Sequence, residues 1–156
     1  MISHSVLLRC SPERAFTLFT QHIDSWWPAE RRHAGDQRTE VFLLPNGQFF
    51  ERTAAGHQIP LGKVVAWEPP DRIVLDFYPG TDPDHPTEAT ITFSREGART
   101  RVTVQHRPLA ASEHLWEDRA PRYVRSWEIV LDALGSVDLV RPGNASVTIE
   151  PLKEPR

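Results

Sequence analysis

Residues 11–28 read SPERAFTLFTQHIDSWWP, and the fold turns on this stretch. Ser11 suits a helix N-cap, Pro12 the first helical position and Glu13 the positive end of the helix dipole. Phe16, Phe19, Ile23 and one of Trp26 and Trp27 recur at helical spacing, which predicts a short amphipathic helix over 11–27. Pro28 drives Trp27 toward extended geometry, so the helix is expected to end near Trp26. Adjacent helical residues point about 100° apart, so the two tryptophans cannot enter one core slot. Either different partners bury both, or one of them faces a molecule that is not permanently there.

Upstream, residues 2–10 (ISHSVLLRC) read as a strand. Downstream, 28–38 is polar and irregular, and a run of alternating strands follows. TEVFLLP and GQFFERTA flank Pro45-Asn46-Gly47, a hairpin signal. Strands over 60–68 and 72–78 flank the turn Pro69-Pro70-Asp71, and strands over 87–95 and 99–107 flank Glu96-Gly97-Ala98. Alternation puts Ile73, Leu75 and Phe77 on one face, and likewise Ala89, Ile91 and Phe93, and Val102, Val104 and His106. Asp76 then points outward. A helix is expected from Pro121 to Ser136, with Asp118 as a candidate cap. Tyr123, Trp127, Val130, Leu131 and Leu134 form its apolar stripe. Strand, helix, a meander of about six strands and a long helix make an α+β fold: a curved antiparallel sheet with one apolar face crossed by a C-terminal helix. The expected organisation is a single domain over 1–140 and a Pro-rich tail over 141–156, in which SVTIE can add a short strand.

The chain has 156 residues and a formal net charge of -3, which gives no general attraction to nucleic acid or anionic membrane. No run approaches the roughly 18 apolar residues of a membrane span, and no signal-peptide pattern opens the chain. With one cysteine, Cys10, in an apolar run and read as a buried hydrophobe, these features lead to an expected cytoplasmic location. The histidines are scattered, without metal-ligand spacing, and no nucleotide-binding or hydrolase motif occurs, so no metal and no cofactor are expected.

Four segments carry a resemblance: S-P-E-R-A-F-x-L-F-T-x-x-I-x-x-W-W-P, then G-K-V-V-x-W-E-P-P-x-R-I-V-L-D-F, then T-R-V-T-V-Q-H, then Y-x-x-x-W-x-x-V-L-D-x-L. Their order and spacing over about residues 3–137 resemble the activator of Hsp90 ATPase homologue 1-like family of the START-like (SRPBCC) helix-grip superfamily. The resemblance implies about seven antiparallel strands wrapped around a long C-terminal helix, with a cavity between them. Relatives hold apolar or amphipathic molecules there; some are enzymes, and a related domain in two-domain members stimulates a chaperone ATPase. Ser126 stands where relatives often carry Gly, and the tail beyond Ser136 is longer than the family needs.

The expected cavity residues are Trp26, Trp27, Phe77, Ile91, Phe93, His106, Tyr123 and Trp127. Tyr123 and Trp127 lie one turn apart and combine an apolar body with a polar handle. One of Trp26 and Trp27 can roof the cavity mouth. His106 either orients a ligand or is a satisfied core histidine. One of Glu51 and Arg52 can point inward, where a carboxylate would have a raised pKa; the competing reading is a solvated outer face. Three functions compete: binding of a small hydrophobic or amphipathic molecule, a cavity enzyme of cyclase, dehydratase or hydrolase type using His106, and a chaperone-activator-like interaction module. A homodimer through the sheet edge or the tail stays open.

Overall fold

The computed structural model describes residues 1–32, 39–139 and 147–148, with the side chains of the last two strands left aside. Strand β1 (Ile2–Leu8) leads into helix α1 (Pro12–Thr20) and the short α2 (Ile23–Trp26), then a single 3-10 turn over Ala29–Arg31. Strands β2 (Glu40–Leu43), β3 (Gln48–Arg52), β4 (Gln58–Glu68), β5 (Arg72–Phe77), β6 (Thr87–Glu96) and β7 (Arg99–Pro108) follow, and then helix α3 (Glu113–Gly135). All seven strands form one antiparallel sheet in the order β1-β7-β6-β5-β4-β3-β2. The sheet is a meander whose first strand closes onto its last, curled around α3 as the helix-grip reading expects.

Alternation sets the core. Val102, Val104 and His106 of β7, Ala89, Ile91 and Phe93 of β6, and Ile73, Leu75 and Phe77 of β5 are all buried. Asp76 lies on the outer side, opposite Lys63 and Glu88 in the register. Strand β4 departs from the strict alternation expected of it. Its pairing slips once between Pro60 and Gly62 and again between Val64 and Ala66, leaving Leu61 and Val65 as extra residues. Such bulges bend a strand and increase its twist, and two of them in the fourth strand help the sheet curl. Leu61 is thereby turned inward while Val65 stays exposed.

The first helix starts as expected: the Ser11 side chain accepts the Arg14 N–H at 3.2 Å. It is not continuous to Trp27. His22 N–H bonds back to Thr17 O at 3.3 Å, one residue beyond the helical partner, and α2 begins anew at Ile23. The wider turn lets Ile23 and Trp26 enter the core while Trp27, at φ -60 and ψ 123, exits in the extended geometry that Pro28 demands.

The C-terminal helix begins at Glu113, eight residues before its expected start at Pro121, and Asp118 lies inside it rather than capping it. Proline removes one backbone hydrogen bond and normally marks a helix start. Here packing overrides it. Trp116 stacks on Tyr123 at 5.5 Å and meets the His106 ring edge-on at 5.2 Å, which extends the apolar stripe two turns upstream of Tyr123. After α3, a two-residue strand β8 (Asp138–Leu139) pairs with β9 (Val147–Thr148), so a short strand does form within SVTIE. The rest of the expected tail lies outside the described residues. No helix among the described residues is long and apolar enough to cross a membrane.

Candidate functional site

The two tryptophans that end α2 have different fates. Trp26 donates its Nε1–H to Leu18 O at 2.8 Å and packs on Phe19 at 5.3 Å, so it locks α1 against α2. Trp27 is also buried, at 7% exposure, and sits edge-on to Phe49 at 6.2 Å. Its Nε1–H has no hydrogen-bond partner among the described residues. Leaving a buried donor unpaired costs about 1–3 kcal/mol, so such a group calls for an explanation.

Arg32 fixes the backbone of Trp27. Its guanidinium donates to Trp27 O at 3.0 and 3.2 Å, to Asp24 Oδ1 at 2.7 Å, to Asp24 O at 2.6 Å and to Thr39 O at 2.7 Å. Asp24 Oδ1 also accepts from Val41 N–H at 2.9 Å. The clamp ties the exit of α2 to the edge strand β2 and holds the Trp27 indole in place.

That indole forms part of the wall of a cleft of about 320 Å³ between the sheet and α3. Leu61 of β4 and Phe77 of β5 form the sheet side. Tyr123, Ser126, Trp127 and Val130 form the helix side, at the i, i+3, i+4, i+7 spacing of one helix face. Pro79 and Gly80 close one end. Glu30, Arg31 and Arg122, all exposed, stand at the rim beside Arg32. Phe77 and Trp127 lie 5.4 Å apart, tilted at 35° to each other, and give the interior an aromatic surface.

The end wall is built around Tyr123, which donates to Pro79 O at 2.9 Å, while Arg119 Nε donates to Gly80 O at 2.8 Å. Gly80 has φ +82, and a Cβ there would lie 2.7 Å from the Tyr123 oxygen. Both the backbone conformation and the close approach require glycine. Burial raises the Tyr123 pKa above its ordinary value, so the hydroxyl stays protonated.

Behind this wall lies His106, fully buried. Its hydrogen bonds determine its proton. Trp127 Nε1 can only donate, and it lies 2.9 Å from His106 Nδ1, so Nδ1 is the acceptor. Nε2 therefore carries the hydrogen and donates to Thr87 Oγ1 at 2.7 Å, and Thr87 donates to Phe77 O at 3.2 Å. Burial pushes the His106 pKa down to about 3. The ring is neutral, a single tautomer, and engaged at both nitrogens. Its geometry is that of a satisfied core histidine that orients Trp127, and neither nitrogen is open to abstract a substrate proton. Tyr123 is its nearest titratable neighbour, with ring centroids 4.3 Å apart.

Of the eight expected cavity residues, Trp27, Phe77, Tyr123 and Trp127 line the cleft. Trp26, Ile91, Phe93 and His106 stand outside it. Phe93 packs on Phe16 and Phe19 at 5.2 and 5.9 Å, so α1 covers that part of the sheet. Sequence reasoning missed Leu61, Val130 and the arginines of the rim. Val130 was legible as the next position of the helical stripe, and Leu61 was hidden by the bulge. Glu51 points inward, at 1% exposure beside Phe49 on the same face, and accepts from Thr39 Oγ1 at 3.3 Å. The solvated outer-face reading of this carboxylate is therefore wrong. Among the described residues no group of three His, Cys, Asp or Glu side chains could hold a metal.

A family model described as activator of Hsp90 ATPase homolog 1-like protein matches residues 9–137. No curated protein matches the chain. Among solved structures, the chain is similar to a self-sacrificing resistance protein, CalC from Micromonospora echinospora, at 24% identity and a TM-score of 0.65, over 85% of this chain and 90% of that one. It is similar to CalU16 from the same organism at 16% identity and a TM-score of 0.57, over 85% and 72% of the two chains. It is also similar to PFC0360w, an HSP90 activator from Plasmodium falciparum, at 17% identity and a TM-score of 0.51, over 81% and 86%. At these identities the likeness to solved structures is one of fold.

Proposed function

We propose, on the premise that the chain belongs to the activator of Hsp90 ATPase homolog 1-like family, that it binds a small apolar or amphipathic molecule in the cleft between the sheet and α3. The observation that carries this reading is the aromatic cleft itself. About 320 Å³ is open between Trp27, Leu61, Phe77, Tyr123, Trp127 and Val130. A mostly apolar concavity with a few placed polar groups is the usual form of a small-molecule site.

The enzyme reading has less support. His106 is neutral with both ring nitrogens occupied, and Tyr123 already donates its hydroxyl proton to Pro79 O. The chaperone-activator reading rests on the family's name and on a fold likeness at 17% identity.

The test is tryptophan fluorescence titration with fatty acids, aromatic polyketides and flavonoids, using the wild type, Trp26→Phe and Trp27→Phe. A saturable change that survives Trp26→Phe and disappears in Trp27→Phe is expected. No change with any compound, or a change indifferent to both substitutions, would overturn the reading.

A further inference from the structure

One hydroxyl in the cleft wall is unengaged. Serine and threonine in a helix commonly hydrogen-bond a carbonyl three or four residues back. Thr17 donates to Glu13 O at 3.0 Å, Thr20 to Phe16 O at 2.8 Å, Ser25 to His22 O at 2.7 Å and Ser136, at the C-cap of α3, to Asp132 O at 2.8 Å. Ser126 does not: its side chain has no hydrogen bond among the described residues. It is half-buried, and the buried side-chain atoms left without a partner among the described residues are Arg14 Nη1 and Trp27 Nε1, so the Ser126 oxygen is open to solvent. On α3 it stands three residues after Tyr123 and four before Val130, both in the cleft wall, with Arg122 at the rim one turn back. The space it opens to is the cleft. The other side-chain donors of the interior are taken or closed. Tyr123 donates to Pro79 O, Trp127 Nε1 donates to His106 Nδ1, and Trp27 Nε1 is shut off from solvent. The charged groups, Glu30, Arg31, Arg32 and Arg122, lie at the rim.

We infer that Ser126 sets the class of ligand: the cleft takes a neutral aromatic molecule bearing a hydroxyl, its rings against Phe77 and Trp127 and its hydroxyl paired with Ser126 Oγ. This rests on the reading of the cleft as a ligand site and names the chemistry it selects. Aromatic walls favour an aromatic body. A serine hydroxyl both donates and accepts, and a ligand hydroxyl does the same, so the pair forms in either direction. A carboxylate or an ammonium group in the interior would have this one neutral side-chain partner, which does not offset the removal of a charge from water. A pure hydrocarbon fills the aromatic part and displaces water from Ser126 without replacing its hydrogen bond.

Three probes with one body and different heads separate the outcomes: 2-naphthol, 2-methylnaphthalene and 2-naphthoate. Each is titrated into the wild type and Ser126→Ala at neutral pH, where the naphthol is un-ionised, and the Val130 methyl resonances report both affinity and position in the cleft. Alanine is a good helix former and the substitution breaks no hydrogen bond among the described residues, so the variant is expected to fold. The ratio of 2-naphthol affinity to 2-methylnaphthalene affinity is expected to fall about fivefold or more from wild type to Ser126→Ala, the worth of one neutral hydrogen bond. Taking the ratio cancels any general change that the substitution makes to the cleft. In the wild type, 2-naphthol is expected to bind more tightly than 2-naphthoate. A ratio that is the same in both proteins, or 2-naphthoate binding the wild type as tightly as 2-naphthol, would overturn this inference and leave the cleft reading standing. No shift of the Val130 methyls with any of the probes would overturn both.

Discussion

Lowering the pH from 7.5 to 5.0 is expected to cost the wild type about 2 kcal/mol more stability than it costs His106→Gln. The reason is the environment of the ring. Phe77, Trp116, Tyr123 and Trp127 surround it, Trp127 occupies Nδ1, Thr87 occupies Nε2, and burial depresses the pKa from 6.5 to about 3. The folded pKa lies below the unfolded one, so the unfolded chain binds the proton first. The stabilisation is fully present above 6.5 and is lost as the pH falls from 6.5 toward about 3. At about 1.4 kcal/mol for each pKa unit, the unfolded state at pH 5.0 has gained about 2 kcal/mol and the folded state almost nothing, whereas at pH 7.5 the contribution is about 0.1 kcal/mol. Glutamine does not titrate, so the variant lacks this component while sharing every other titrating group. Urea unfolding of both proteins at the two pH values gives the difference directly. Nitrogen-15 spectra of the ring should show the Nε2–H tautomer unchanged down to pH 5. Parallel losses of stability in the two proteins, or a ring that titrates near 6.5 in the folded state, would refute the assignment of His106 as a neutral, doubly bonded core residue.

The tryptophans of α2 are expected to separate in the same assay. Trp26→Phe abandons Leu18 O in the core and should cost about 1–2 kcal/mol more than Trp27→Phe, which breaks no hydrogen bond among the described residues; equal costs would refute the distinction. Gly80→Ala meets both a left-handed backbone and the Tyr123 oxygen, and should lower stability by about 2 kcal/mol in urea unfolding. A wild-type value for that variant would mean that the end wall is loose. Burial pushes the Cys10 thiol up to about 11, so a disulfide reagent at pH 8 should react slowly with the folded protein and rapidly in urea. Similar rates in both states would show that the β1–α1 junction opens readily.

Much of the fold is visible in local patterns because burial on one face imposes a period on the chain. Ile73, Leu75 and Phe77, and Val102, Val104 and His106, each need a two-residue repeat to reach the same core, and Tyr123 through Leu134 need a helical one. Errors arise where a non-local contact competes with a local preference. Pro121 marks a helix start by its own chemistry, yet Trp116 on Tyr123 and His106 holds two further turns of helix upstream. Leu61 faces the cleft only because the pairing with β3 slips by one residue there, and no feature of QIPLGKVVAWE announces the slip. Glu51 had an undecided parity for a similar reason: Phe49 and Phe50 are both apolar and both buried, so neither face declares itself.

The site is harder to read than the fold because its chemistry depends on which polar atoms remain unused. Trp26 and Trp27 are chemically identical neighbours, and local sequence cannot rank them. The structure separates them through one carbonyl eight residues back and one arginine five residues ahead: Leu18 O accepts from Trp26, while Arg32 holds Trp27 by its backbone and its buried Nε1–H has no partner among the described residues. His106 makes the same point in reverse. Alternation correctly turns it inward, but its role follows from Trp127, twenty-one residues away, whose N–H can only donate and so decides which nitrogen holds the proton. A histidine with both nitrogens bonded belongs to the frame of the protein, whereas the Trp27 Nε1–H is buried without a hydrogen-bond partner among the described residues. That difference in hydrogen-bond satisfaction, more than residue type or burial, is what the local sequence does not show.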